Sequence, residues 1–201
     1  MRISPGILIS SVLILFFFAC QSSGDVKEIV SKEVIGGDST LQSRQLEYLD
    51  LDLPDRHYLV FRQELALQDV NGFFGMETEA LSVAATKAGV VATGPMTAFT
   101  YAWDTKRGWA DVAVALPVAK DTKLPPYVTI SLSATKAIAL DMNGSYSALS
   151  AMHVALDQEL KRRNLKPTLP SIEEYPVGPQ QVADENDFVT RIIYQYESTE
   201  Q

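Results

Sequence analysis

Between residues 57 and 197 the chain runs twice through one succession of patterns: a β-prone stretch, an amphipathic helix, then two further β-prone stretches. A helix with a single apolar stripe cannot bury it alone and must lie on strands or on another helix. Two such sets in tandem can cover one another. The pattern therefore implies an α+β domain of two pseudo-symmetric βαββ repeats, at about 57–119 and 127–197. In the first, HYLVFRQELAL at 57–67 is rich in strand formers. Val70, Phe73, Phe74, Leu81, Ala84, Ala85 and Ala88 then recur at helical spacing until Gly89 stops the helix. Strands at 96–104 and 109–118 follow, joined by the turn Thr105-Lys106-Arg107-Gly108. In the second, β-prone sequence at 127–141 breaks at Met142-Asn143-Gly144. The helix at 147–164 buries Leu149, Met152, Leu156 and Leu160 and ends before Pro167 and Pro170. Strands at 172–177 and 188–197 complete it.

Two unlike segments precede this region. Met1-Arg2 and an apolar stretch of roughly 12 residues ending at Ala19 have the form of a signal peptide, too short for a membrane span that needs ~20 residues. The only cysteine, Cys20, follows at once, and the junction looks like a bacterial lipobox, with Phe17 where that motif prefers Leu. The resemblance implies a lipoprotein signal peptide at 1–19, acylation of Cys20, and export to the cell envelope on a lipid anchor. Gln21 after the cysteine favours the outer membrane. An ordinary signal peptide beside a free cysteine is the alternative. Residues 20–45, polar with Gly36-Gly37-Asp38-Ser39, read as a tether. Residues 46–201 read as the folded domain, with Leu46, Tyr48, Leu49, Leu51 and Leu53 ahead of the turn Pro54-Asp55-Arg56.

Composition narrows the function. A net charge of −8 gives no basic face for neutralising phosphates, so nucleic acid is not an expected partner. One cysteine excludes an intrachain disulfide. His57 and His153 are isolated, with no acidic triplet beside them, so neither a metal nor another cofactor is expected. No phosphate-loop, dinucleotide or nucleophile-elbow motif is present.

In its second repeat the chain resembles the GyrI-like effector-binding domain, a small-molecule-sensing module also appended to AraC-type and MerR-type regulators. The matching residues are Asn143-Gly144-Ser145-Tyr146, Leu149, the helix to Asn164, Leu165-Lys166-Pro167, Ile172-Glu173-Glu174-Tyr175 and Val189-Thr190-Arg191-Ile192. A looser match runs through Gly94-Pro95, Phe99-Thr100-Tyr101 and Ala115-Leu116-Pro117-Val118. The resemblance implies a ligand groove between the repeats, faced by a glutamate that meets cationic aromatic ligands; the matching residue is Glu173. Residues two apart on a strand share a face, so Glu173 and Tyr175 are expected in the groove and Glu174 outside it. Phe99 is expected as the first-repeat counterpart of Glu173, with Tyr101 and Trp103 continuing its face and Trp109 at the rim. Tyr146 adds stacking surface.

The same residues admit plainer roles: Glu173 and Glu174 as solvated charges on an edge strand, Tyr146 as packing, Trp103 and Trp109 as a cross-strand pair. The leading functional expectation is a membrane-anchored module that captures a hydrophobic or cationic aromatic molecule. One alternative is a hydrolase of toxic small molecules, with Glu173 as general base and the catalytic residue if there is one. A second is an envelope protein-interaction domain with a vestigial groove.

Overall fold

The computed structural model describes residues 46–197; the signal segment, Cys20 and the tether lie outside the described residues. The strands are β1 (Tyr48–Leu53), β2 (Arg56–Ala66), β3 (Thr97–Asp104), β4 (Trp109–Val118), β5 (Val128–Leu132), β6 (Thr135–Asn143), β7 (Lys166–Pro167), β8 (Ser171–Val177) and β9 (Val189–Glu197). The helices are α1 (Val70–Lys87) and α2 (Leu149–Arg162). All strand pairs are antiparallel, in the order β1-β6-β9-β8-β3-β4-β2-β5, with β7 on β9.

Both helices end in the same way. The Gly89 N–H donates to the Thr86 carbonyl and the Val90 N–H to Ala85; one helix later, Asn164 donates to Lys161 and Leu165 to Leu160. This is the Schellman arrangement, which needs a left-handed residue just past the cap. Gly89 takes it at φ +68° and Asn164 at φ +56°, the two residue types for which that region costs least.

The runs β2-α1-β3-β4 and β6-α2-β8-β9 meet at a seam between β3 and β8 in the middle of the sheet. The stretch at 127–141 is two strands rather than one, because the chain turns at Ser133-Ala134. That turn has a consequence for pairing. β5 leads into β6 yet pairs with β2, while β1 leads into β2 yet pairs with β6, so each run lends its leading strand to the other's edge. The Ala134 N–H donates to the Asp55 carboxylate at 2.7 Å, tying the two corner turns together.

The sheet is apolar on both faces, which is why its strands read as nearly continuous hydrophobic runs. On one face Leu59, Val112, Val114 and Leu116 pack with Phe73, Leu81 and Ala85 of α1, and Ile138, Leu140 and Ile192 pack with Met152, Leu156 and Leu160 of α2. On the other face Tyr58, Val60, Phe99, Ile172 and Ile193 meet the alanines 113, 115, 137 and 139. Leu49, Leu51 and Leu53 of β1 and Ile130 and Leu132 of β5 fold over that inner face. Alanine at alternate positions leaves room for the edge strands, and the sheet curls into a half-barrel.

Candidate functional site

α1 lies over β2 and β4, and α2 over β6 and β9, which leaves β3 and β8 as the strip of sheet between the helices. Glu173 stands on that strip. Its cross-strand neighbours are Ala98 on β3 and Ile192 on β9, and Ile192 belongs to the core under α2, so the carboxylate faces the helix side. β8 is interior to the sheet, which excludes the edge-strand role.

Both carboxylate oxygens are engaged. A carboxylate offers only acceptors, so His153 Nε2 carries the proton it donates to Glu173 Oε1 at 2.8 Å. The Tyr175 hydroxyl donates to Oε2. His153 Nδ1 lies 3.0 Å from the Tyr194 hydroxyl, extending the chain of polar groups from β8 through α2 to β9. The side chains of Glu173 and His153 keep 16% and 23% of their exposure, so the pair is largely desolvated but still reachable from solvent.

Aromatic rings surround it. The Tyr146 ring meets Tyr175 edge-on at 5.5 Å and lies tilted on Phe188 at 4.9 Å. Tyr146 opens the short 3-10 turn before α2, set by two local features. Gly144 adopts φ +108°, open only to glycine, and its N–H donates to the Phe188 carbonyl at 2.9 Å. Ser145 then accepts from the Ser147 N–H and donates its hydroxyl to Glu185 at 2.9 Å. Burial, and after it the charge of Glu173, holds the Tyr175 phenol well above its ordinary value and raises Tyr146. Tyr194 is pushed up to about 12 by burial, with Asp157 and Glu173 adding to it. All three phenols therefore keep their protons at neutral pH.

The structure brings Glu173, Tyr175 and Tyr146 together and places the other expected residues elsewhere. Phe99 is not the counterpart of Glu173. It sits opposite Ile172, fully buried on the inner face, while Ala98 faces Glu173. Tyr101 is the extra residue of a β-bulge between Thr100 and Ala102; it packs toward the inner face under the Arg62 guanidinium, 3.6 Å from its ring centroid. The bulge reverses the alternation. Trp103 therefore leaves the face of Phe99 and pairs with Ala110 of the α1 core, 53% exposed near the hairpin end. Trp109 pairs with Asp104 rather than with Trp103 and carries the Arg107 guanidinium at 5.4 Å. Glu174 lies on the face away from Glu173, as the alternation implies, but that is the inner face, opposite Thr97 and Arg191, and burial raises its carboxyl above the ordinary value. His153, Phe188 and Tyr194 were not anticipated as site residues. The one available signal was His153 bordering the apolar stripe of its helix. Two surface concavities, of about 370 Å³ at Lys161, Asn164, Leu165, Lys166 and Pro167 and about 180 Å³ around Lys120 to Lys123, are not lined by any of this cluster.

A half-barrel antiparallel sheet with two helices on its outer face is consistent with a GyrI-like fold. Among solved structures, the chain is similar to EcmrR in its complex with DNA, at TM-score 0.67 and 17% identity over 75% of this chain; it spans 57% of that one. It is similar to the EcmrR C-terminal domain at TM-score 0.64 and 15% identity, covering 77% of this chain and 99% of that one. It is similar to SAV2435 bound to tetraphenylphosphonium at TM-score 0.59 and 13% identity, covering 76% of this chain and 95% of that one. No family model matches the sequence, and no curated protein matches it.

Proposed function

We propose that this protein is a small-molecule-binding module in which Glu173 receives a cationic aromatic ligand on the strip between α1 and α2. The two βαββ runs act as the two banks of that groove, and Tyr146 and Tyr175 supply ring faces. One observation carries the reading: a largely desolvated carboxylate among aromatic rings, whose only partners among the described residues are His153 and Tyr175. Among the described residues no lysine or arginine pairs with it, so its charge and the ring quadrupoles can act together on a cation. SAV2435, which shares the fold, is bound to such a cation.

Titration calorimetry with tetraphenylphosphonium tests this. Glu173→Gln keeps the shape and removes the charge, and should weaken binding at least about tenfold, or ~1.4 kcal/mol. Equal affinity in the two proteins would overturn the reading.

The module is proposed to work at the cell envelope, held at the outer membrane by its anchor through the tether of residues 20–45. The support is the sequence Phe16-Phe17-Phe18-Ala19-Cys20-Gln21. Acyl chains contribute ~0.8 kcal/mol per buried methylene, enough for stable anchoring when several are attached. Cys20→Ala should move the protein from the membrane fraction to the soluble one; unchanged partitioning would refute the anchor.

A further inference from the structure

We infer that His153 is a specificity-determining residue of this site: it is a proton-switchable resident on Glu173, so that capture of a cation expels a proton from the imidazole to solvent. The inference rests on the reading of Glu173 as the cation site.

The geometry defines two states. With a neutral ring, Nε2–H donates to Glu173 and Nδ1 accepts from the Tyr194 hydroxyl. The cluster then keeps the full negative charge of the carboxylate, held in place by uncharged donors. With a charged ring, Nε2–H still donates to Glu173, and Nδ1–H donates to the Tyr194 oxygen instead, because a hydroxyl can reverse its role. The hydrogen-bonded frame is the same in both states. What changes is the net charge, from −1 to zero. In the second state His153 is itself the cation on Glu173, and an incoming cation meets a neutralised carboxylate beside a positive ring.

The groups facing His153 leave it as the switching element. From β8 come Glu173 and Tyr175, from β9 Tyr194, and from the turn before α2 Tyr146, in ring contact with Tyr175. On its own helix Asp157 lies one turn further along, paired with Lys161. The three phenols hold their protons through the neutral range. Histidine is the side chain whose charge ordinarily changes between about pH 5 and about pH 8.

The experiment measures tetraphenylphosphonium binding to the described domain's full chain across that range by calorimetry, in two buffers of different ionisation enthalpy. This ligand has no proton of its own to exchange. Below the imidazole's transition the affinity should rise up to about tenfold per pH unit, with close to one proton released per ligand, and should level off above it. His153→Gln, which retains an N–H donor but cannot charge, should give a flat pH profile whatever its absolute affinity. Binding that is pH-independent and releases no proton would overturn the inference while leaving the Glu173 site standing. An unchanged slope in His153→Gln would also overturn it, by assigning the proton to another group. No binding at any pH would overturn both. Should the variant fail to fold, the two-buffer proton count on the unmutated protein decides alone.

Discussion

On the α1 side of the sheet the aromatic contacts join Phe61, Phe73, Phe74 and Tyr127. On the α2 side they join Tyr146, Tyr175 and Phe188, with His153 against Tyr194. The first set is mostly phenylalanine and fills the core. The second carries hydroxyls and an imidazole, and these converge on a carboxylate. Across the seam the contrast is sharpest, since Glu173 stands opposite Ala98. The backbone plan is shared, down to the Schellman ends of both helices, so the plan itself does not require the chemistry. Apolar contacts satisfy the fold on either side, and the polar cluster is an addition made on one side only.

If the two sides are equal as scaffold, their central leucines should matter equally. Leu81 of α1 and Leu156 of α2 are both fully buried. Truncating either to alanine removes a buried side chain and leaves a cavity, so each change should cost about 2–5 kcal/mol in urea denaturation. A cost below about 1 kcal/mol for one of them would show that its helix is not integral to the cooperative unit, and the comparison would fail at its base.

A smaller effect should separate the sides in acid. Glu159, near the end of α2, is held down to about 2 by its hydrogen bonds to Arg162 and then Arg163. Arg163 continues the network to Asp50 of β1 at 2.6 Å. In α1 the basic residue of the last turn is Lys87, with no acid in the first turn. A carboxylate whose folded value is depressed favours the folded state above its unfolded value of about 4.5, and that contribution is lost as pH falls toward 2. Glu159→Gln should therefore lower the Tm most near neutral pH, and the gap to the unmutated protein should close between about pH 4.5 and about pH 2. A gap that stays constant over that interval would remove the ion network from the account.

The order of strands and helices was legible because each element marks its own sequence, by period two or by period 3.6. Gly89 and Asn164 mark the helix ends locally as well. The placement of Glu173 and Tyr175 on one face followed from the same alternation. What left no local trace was pairing. Nothing in Leu49, Leu51 and Leu53 says that their strand adds to β6 rather than to its own run, because a sheet edge accepts any strand of matching pattern. The bulge at Tyr101 was equally silent, and it carried Trp103 to a face that simple alternation does not give it. His153 was hidden for a related reason. A histidine bordering an apolar stripe looks the same whether it packs or bonds, and only the fold sets Glu173 and Tyr194 on either side of its ring.

Trp103 offers the finest test of whether the chemistry is confined to one side. The bulge turns it toward the helix side of the sheet, the side that bears Glu173, but it lies five residues along β3 from Ala98. At a strand's rise that is roughly 16 Å, beyond the reach of a compact ligand seated on the carboxylate. Half-exposed near a hairpin end, it also contributes little to the core. Trp103→Ala should thus change stability by no more than about 0.5 kcal/mol. It should leave tetraphenylphosphonium affinity within about twofold, a difference of less than ~0.5 kcal/mol. A tenfold loss of affinity with stability intact would mean that the groove runs the length of β3, and that the first run supplies recognition as well as scaffold.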